Sequence, residues 1–194
     1  MMREVFTEVA REFFADVEKV CQELAEEEIE RVISLISSAN AVFVAAIGHS
    51  NMIAQVLTMK LNHLGKRAYQ VFDIINPPFG AKDLLIVVSQ SGETDTLVTL
   101  VRKAKALGGM VLALTSRPSS TIGTLSDGVL KISVKHDGVD FHRLGKIGDV
   151  RHGNLSGALF GMALYVIVYA LVSILMEHWG ESAESFDARH ANLQ

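Results

Sequence analysis

Cysteine is almost absent from this chain. Cys21 stands alone among 194 residues, so no internal disulfide and no cysteine-built metal site can form. That usage suits a reducing, cytoplasmic compartment. No block of basic residues stands out, and the formal charge is -4, which argues against a nucleic-acid partner. The opening "MMREVFTEVAREFF" is amphipathic and lacks the basic flank and apolar centre of a leader, so no signal peptide is expected. Internal repeats and low-complexity stretches are missing. So are the Gly-Lys-Ser/Thr phosphate loop and the Gly-x-Gly-x-x-Gly fingerprint of dinucleotide sites.

Charge is also missing from one long stretch. Gly153 to Met176 carries none, and Ala158 to Met176 ("ALFGMALYVIVYALVSILM") is nearly all apolar. Its length would suit a membrane span. There is no second such stretch and no basic flank, since Glu177 and His178 follow it. A helix buried in a core or a subunit interface is the expected form, with no membrane partner.

What remains looks like an ordinary globular chain, 49% hydrophobic and 21% charged. Val5, Val9, Phe13, Val17, Val20 and Leu24 recur at helical spacing, and residues 3 to 36 read as helices, the second over Glu28 to Ile36. The rhythm then changes to a continuous apolar run at 41–47, followed by further strand-like stretches at 67–73, 83–89, 110–116 and 128–134. Helical stretches to Leu64 and from Asp95 to Leu107 separate them, with a short helix or turn in "SSTIGTLSD". Alternating strands and helices predict a three-layer αβα sandwich around a five-stranded parallel sheet. The expected organisation is one domain over 1–194, with N-terminal helices 3–36, an α/β core 41–178 and a tail 179–194. Residues 135–153 read as a long loop.

Ligands of open parallel sheets collect at the carboxyl ends of the strands. Three of those ends carry small polar residues: Gly48-His49-Ser50, then Ser89-Gln90-Ser91-Gly92-Glu93-Thr94, then Thr115-Ser116. Each runs toward a helix start, where free N–H groups carry partial positive charge. Hydroxyls plus such N–H groups suit a phosphate dianion. A turn or helix cap would use the same residue types, but three such loops together favour a phosphate cradle.

The motifs carry a resemblance. "AIGHSN" (46–51), "TMKLNHLG" (58–65), "DLLIVVSQSGET" (83–94), "KAK" (103–105), "GALFG" (157–161) and "RHANLQ" (189–194) resemble the sugar isomerase (SIS) domain proteins, most closely the 6-phospho-3-hexuloisomerases. The resemblance implies a phosphosugar at the strand ends and interconversion of a 3-ketose and a 2-ketose through a cis-enediol. It implies no cofactor or metal, and a homo-oligomer, typically a tetramer. Carried over by motif, Ser50, Ser89, Ser91 and Thr94 would hold the phosphate; the strand-end pattern adds Gly48, His49, Gln90, Gly92 and Thr115 as candidate phosphate- or sugar-binding residues. His63 and His190 would match the active-site histidines, and the tail bearing His190 could reach a neighbouring subunit's site. Two positions depart from the pattern. His49 stands where the family has a loop arginine, and Gly161 stands where it has the glutamate expected to act as general base.

Enediol chemistry needs a group to lift a proton from carbon. Glu93 in the cradle loop and His152, with Asp149, just before the apolar helix are candidate replacements. His136, Asp137, Asp140 and His142 form a weaker metal-ligand pattern without tight spacing. A phosphosugar-binding protein or sensor without the general base is the alternative to an isomerase.

Overall fold

The computed structural model describes residues 2–134 and 156–193. Two helices lead, α1 (Met2–Gln22) and α2 (Glu26–Ser38), followed by β1 (Val42–Ala46), α3 (His49–His63), β2 (Ala68–Gln70), β3 (Leu84–Val88), α4 (Asp95–Ala106), β4 (Met110–Thr115), α5 (Thr121–Leu125) and β5 (Gly128–Lys131). The long helix α6 (Ser156–His178) and a short α7 (Ala183–Asp187) complete the order.

The five strands form one parallel sheet in the order β2-β1-β3-β4-β5. β1 and β3 are buried at every position, as continuous apolar runs in a covered parallel sheet require. Alternate residues point to opposite faces. Val42, Val44, Ile86, Leu112 and Leu130 join a core with α1, α2, α3 and α6. Phe43, Ala45, Leu85, Val87 and Ala113 meet Leu97, Val101 and Ile122 of α4 and α5 on the other side. The three-layer αβα arrangement is therefore the one the sequence predicts.

α6 is long and apolar enough to cross a membrane by composition. Here it lies in the fold, packed against α3 and α1, with Phe160, Ala163, Leu164, Ile167, Leu171 and Leu175 in the core. Tyr165, Val166, Tyr169 and Ile174 form an exposed apolar side.

β2 is shorter than the stretch 67–73 predicted for it, and Asn76 turns the chain after it. Its amide donates to the carbonyls of Gln70, Val71 and Asp73. The tail is also ordered differently from a free extension. Ser182 caps α7 by accepting from Ser185 N, and Arg189 donates to Glu181 and to the His63 carbonyl, each at 2.9 Å. The tail thus docks on its own α3.

The sheet order matters for function. The chain leaves β1 toward β2 on one side and returns to β3 on the other. In open parallel sheets the ligand crevice lies at such a reversal, outside the carboxyl ends of the strands, here those of β1 and β3.

Candidate functional site

Register brings the predicted loops together. Ala46 lies opposite Val88, and Val88 opposite Leu114, so the loops after β1, β3 and β4 start side by side, about 4.8 Å apart per strand. Ser89 Oγ lies 3.2 Å from Thr94 Oγ1, and Gly92 N donates to Ser89 Oγ at 3.1 Å. Ser91 Oγ accepts from Glu93 N at 3.3 Å. The β3 loop is a tight knot of hydroxyls around an amide-rich turn.

Glycine is needed at two points of this rim. Gly48 has φ +64° and ψ -138°, a region nearly closed to other residues. Gly92 has φ +66°, and a Cβ there would lie 1.9 Å from Ser120 Oγ.

The helix starts divide into open and closed. Gly48 before α3 and Thr94 before α4 make no side-chain capping bond, which leaves their first N–H groups for an acceptor from outside. α5 is closed twice: Ser120 Oγ accepts from Gly123 N at 3.2 Å, and Glu93 Oε1 accepts from Thr121 N at 2.8 Å. The bonds from Thr121 to Glu93, the backbone N–H first and the side-chain hydroxyl second, hold the Glu93 carboxyl below its ordinary range, with Arg117 adding to the effect.

Buried polar atoms without partners mark the same rim. Among the described residues these atoms are Asn51 Oδ1, Gln90 Nε2, Ser116 Oγ and His63 Nδ1. The first three follow β1, β3 and β4. A buried group left unpaired costs about 1–3 kcal/mol, so three at one rim point to a ligand that completes them. Thr115 sits behind this surface, 0% exposed. Its hydroxyl donates to Gln90 O and accepts from Arg117 N, tying the β4 loop to the β3 loop.

Comparison with known proteins then gives the lineage. The SIS domain family matches residues 35–138. A 3-hexulose-6-phosphate isomerase of Bacillus subtilis is 32% identical, over 97% of this chain and 98% of its own. This chain belongs to the SIS domain family. A 3-hexulose-6-phosphate isomerase of Methylomonas aminofaciens is 30% identical over 85% of this chain and 87% of its own. Among solved structures, the Vibrio vulnificus NanR protein complexed with ManNAc-6P superposes with a TM-score of 0.74 at 19% identity, covering 95% of this chain and 66% of that one.

Within this SIS chain the described candidate proton-transfer residues His63, His190 and Glu93 lie in two places. His63 and His190 do meet each other, with ring centroids 3.9 Å apart and Phe186 edge-on to both. His63 is only 7% exposed. Burial first, then the charges of His190 and Lys60, push its pKa below the ordinary value, against the pull of Asp187. This pair lies at the last turn of α3, whereas His49 opens its first. Fifteen residues put about 20 Å between them. Glu93 turns to α5. His152, like Asp149 and the 135–153 loop, lies outside the described residues.

One contact escaped the sequence reading. Gly161 of the SIS chain is buried in the second turn of α6, and a Cβ there would lie 2.3 Å from His49 Cε1 and 2.7 Å from Nδ1. The two positions that the sequence sets apart from the expected pattern thus meet in the fold: the His49 ring fills the space that a side chain at 161 would take. Asn51 was the other omission; its place one turn into α3, beside the "GHS" loop, was the available signal.

Proposed function

We propose that this SIS protein is a sugar-phosphate isomerase of the 3-hexulose-6-phosphate type, interconverting a 3-ketose and a 2-ketose, with the phosphate seated on the β3 loop. The observation that carries this reading is the sheet reversal, where the uncapped starts of α3 and α4 follow the neighbouring strands β1 and β3, and unpaired Asn51, Gln90 and Ser116 follow β1, β3 and β4. The named isomerase relatives and the ManNAc-6P complex of a structural neighbour support it. Ser50, Ser89, Ser91 and Thr94 would supply hydroxyls to the ester oxygens, and Gly48 and Gly92 would let backbone N–H groups come close.

In such a site the C2 proton of the 3-ketose is removed and a 2,3-enediol forms. The hydroxyl proton passes from O2 to O3, and a proton returns to C3. Rim hydroxyls and N–H groups would hold the developing charge on oxygen. The exposed apolar residues of α1 (Phe6, Phe14) and α6 (Tyr165, Tyr169) fit a homo-oligomer. The His63–His190 pair, held as a unit by the docked tail, would then face a neighbouring protomer's rim.

A panel of phosphosugars tests the reading, first by thermal shift and then by NMR in D2O. An isomerase raises its melting temperature with 3-hexulose 6-phosphate or a related ester, interconverts it and incorporates deuterium on carbon. Binding without deuterium incorporation would instead establish a binding protein or sensor.

A further inference from the structure

We propose that His49 is the group that moves the carbon-bound proton at this site. The inference rests on the isomerase reading and assigns the base that reading requires. Three features place the ring. Gly48, with its φ of +64°, swings the chain so that His49 begins α3 directly outside β1, at the sheet reversal. Gly161 presents bare backbone to the ring, with positions for a Cβ only 2.3 Å from Cε1, 2.7 Å from Nδ1 and 3.4 Å from Nε2. Any larger residue there would displace the imidazole. Gly157, one turn earlier on the same face of α6, lies beside Gln90, whose Oε1 is 4.0 Å from its Cβ position. The first two turns of α6 thus form a smooth wall. His49 abuts that wall at Gly161 and Gln90 lies near it at Gly157.

The other candidates among the described residues are placed elsewhere or otherwise committed. Glu93 caps α5, and His63 with His190 occupies the opposite end of α3. An imidazole is suited to taking and returning a proton near neutral pH. A neutral ring nitrogen of His49 takes the proton on C2. The C–H electron pair becomes the C2=C3 double bond, and the carbonyl pair moves to O3. After the O2 proton transfers to O3, the imidazolium returns its proton to C3 and the pair on O2 forms the new carbonyl. No oxidant or cofactor is consumed.

The test measures carbon-proton exchange with 3-hexulose 6-phosphate and its 2-ketose isomer in D2O, alongside ligand-induced thermal shift. His49→Asn should lose about 10²–10⁴-fold in exchange rate while its affinity for the phosphosugar stays within threefold. Gly161→Ala, which crowds the ring without touching its chemistry, should lose at least about tenfold, and serves alone if His49→Asn fails to fold. Added imidazole should restore part of the rate to His49→Ala. A wild-type protein that exchanges while His49→Asn or Gly161→Ala keeps its rate overturns the assignment and leaves the isomerase reading standing. A wild-type protein that exchanges no phosphosugar proton overturns both.

Discussion

Gly92 and Ser120 touch so closely that no side chain fits between them: a Cβ on Gly92 would lie 1.9 Å from Ser120 Oγ and 2.5 Å from its Cβ. The contact joins the β3 loop to the start of α5, and Ile122 N donates to Gly92 O at 3.1 Å across the same seam. The cradle is built into the core packing rather than laid over it.

Gly92→Ala should therefore be strongly destabilising. The left-handed conformation costs a non-glycine residue about 1–2 kcal/mol, and overpacking adds about 1–3 kcal/mol. At about 2–4 °C per kcal/mol for a chain of this size, a thermal melt should fall by roughly 4–20 °C. A melting temperature within 1 °C of wild type would contradict the packing described.

Ser116→Ala separates stability from binding. Its hydroxyl is buried without a partner, so removing it relieves a desolvation cost of about 1–3 kcal/mol rather than breaking a bond. The unliganded melting temperature should hold or rise, and the affinity for a phosphosugar should fall about 5- to 150-fold, as judged by calorimetry. A destabilised variant with unchanged affinity would show that the hydroxyl serves the fold.

The His63–His190 pair gives a pH signature. The folded pKa of His63 lies below the ordinary 6.5, while the unfolded chain keeps about 6.5. Between those values the unfolded chain takes up the proton that the folded chain refuses, so stability falls as pH drops through that window. Above 6.5 His63 adds no slope. Comparing wild type with His63→Asn isolates the effect: the wild-type melting curve should lose more than the variant's as pH falls below 6.5. Equal losses would contradict the burial of this imidazole.

The strap that holds the tail is also testable. Arg189→Ala removes bonds to Glu181 and to the His63 carbonyl, so hydrogen exchange across 183–193 should quicken while the sheet stays protected. Unchanged protection of the tail would contradict its docking through Arg189.

Much of this was legible in the chain. All five strands were predicted, most plainly β1 and β3, which are buried at every position and appear as unbroken apolar runs. The hydroxyl-rich β3 loop proposed as a phosphate cradle was legible because it is local: Ser89, Gly92 and Thr94 lie within six residues. What depends on distant partners was not. Asn76 turns the chain after β2 through backbone carbonyls that no periodicity reveals. The five-residue α7 carries a single packed aromatic, Phe186, too little for a helical pattern. His49 and Gly161 looked like two separate losses from a family pattern; only the fold shows that one makes room for the other.

The central claim is that the carboxyl ends of β1, β3 and β4 grip a sugar's phosphate. Backbone amide shifts on titration with 3-hexulose 6-phosphate test it most directly. The account predicts the largest saturable changes at Ser89 to Thr94 and in the first turn of α3, His49 to Asn51. Changes that cluster instead at the apolar cavity lined by Phe43, Phe79, Leu100 and Leu107, or no saturable change at all, would contradict it.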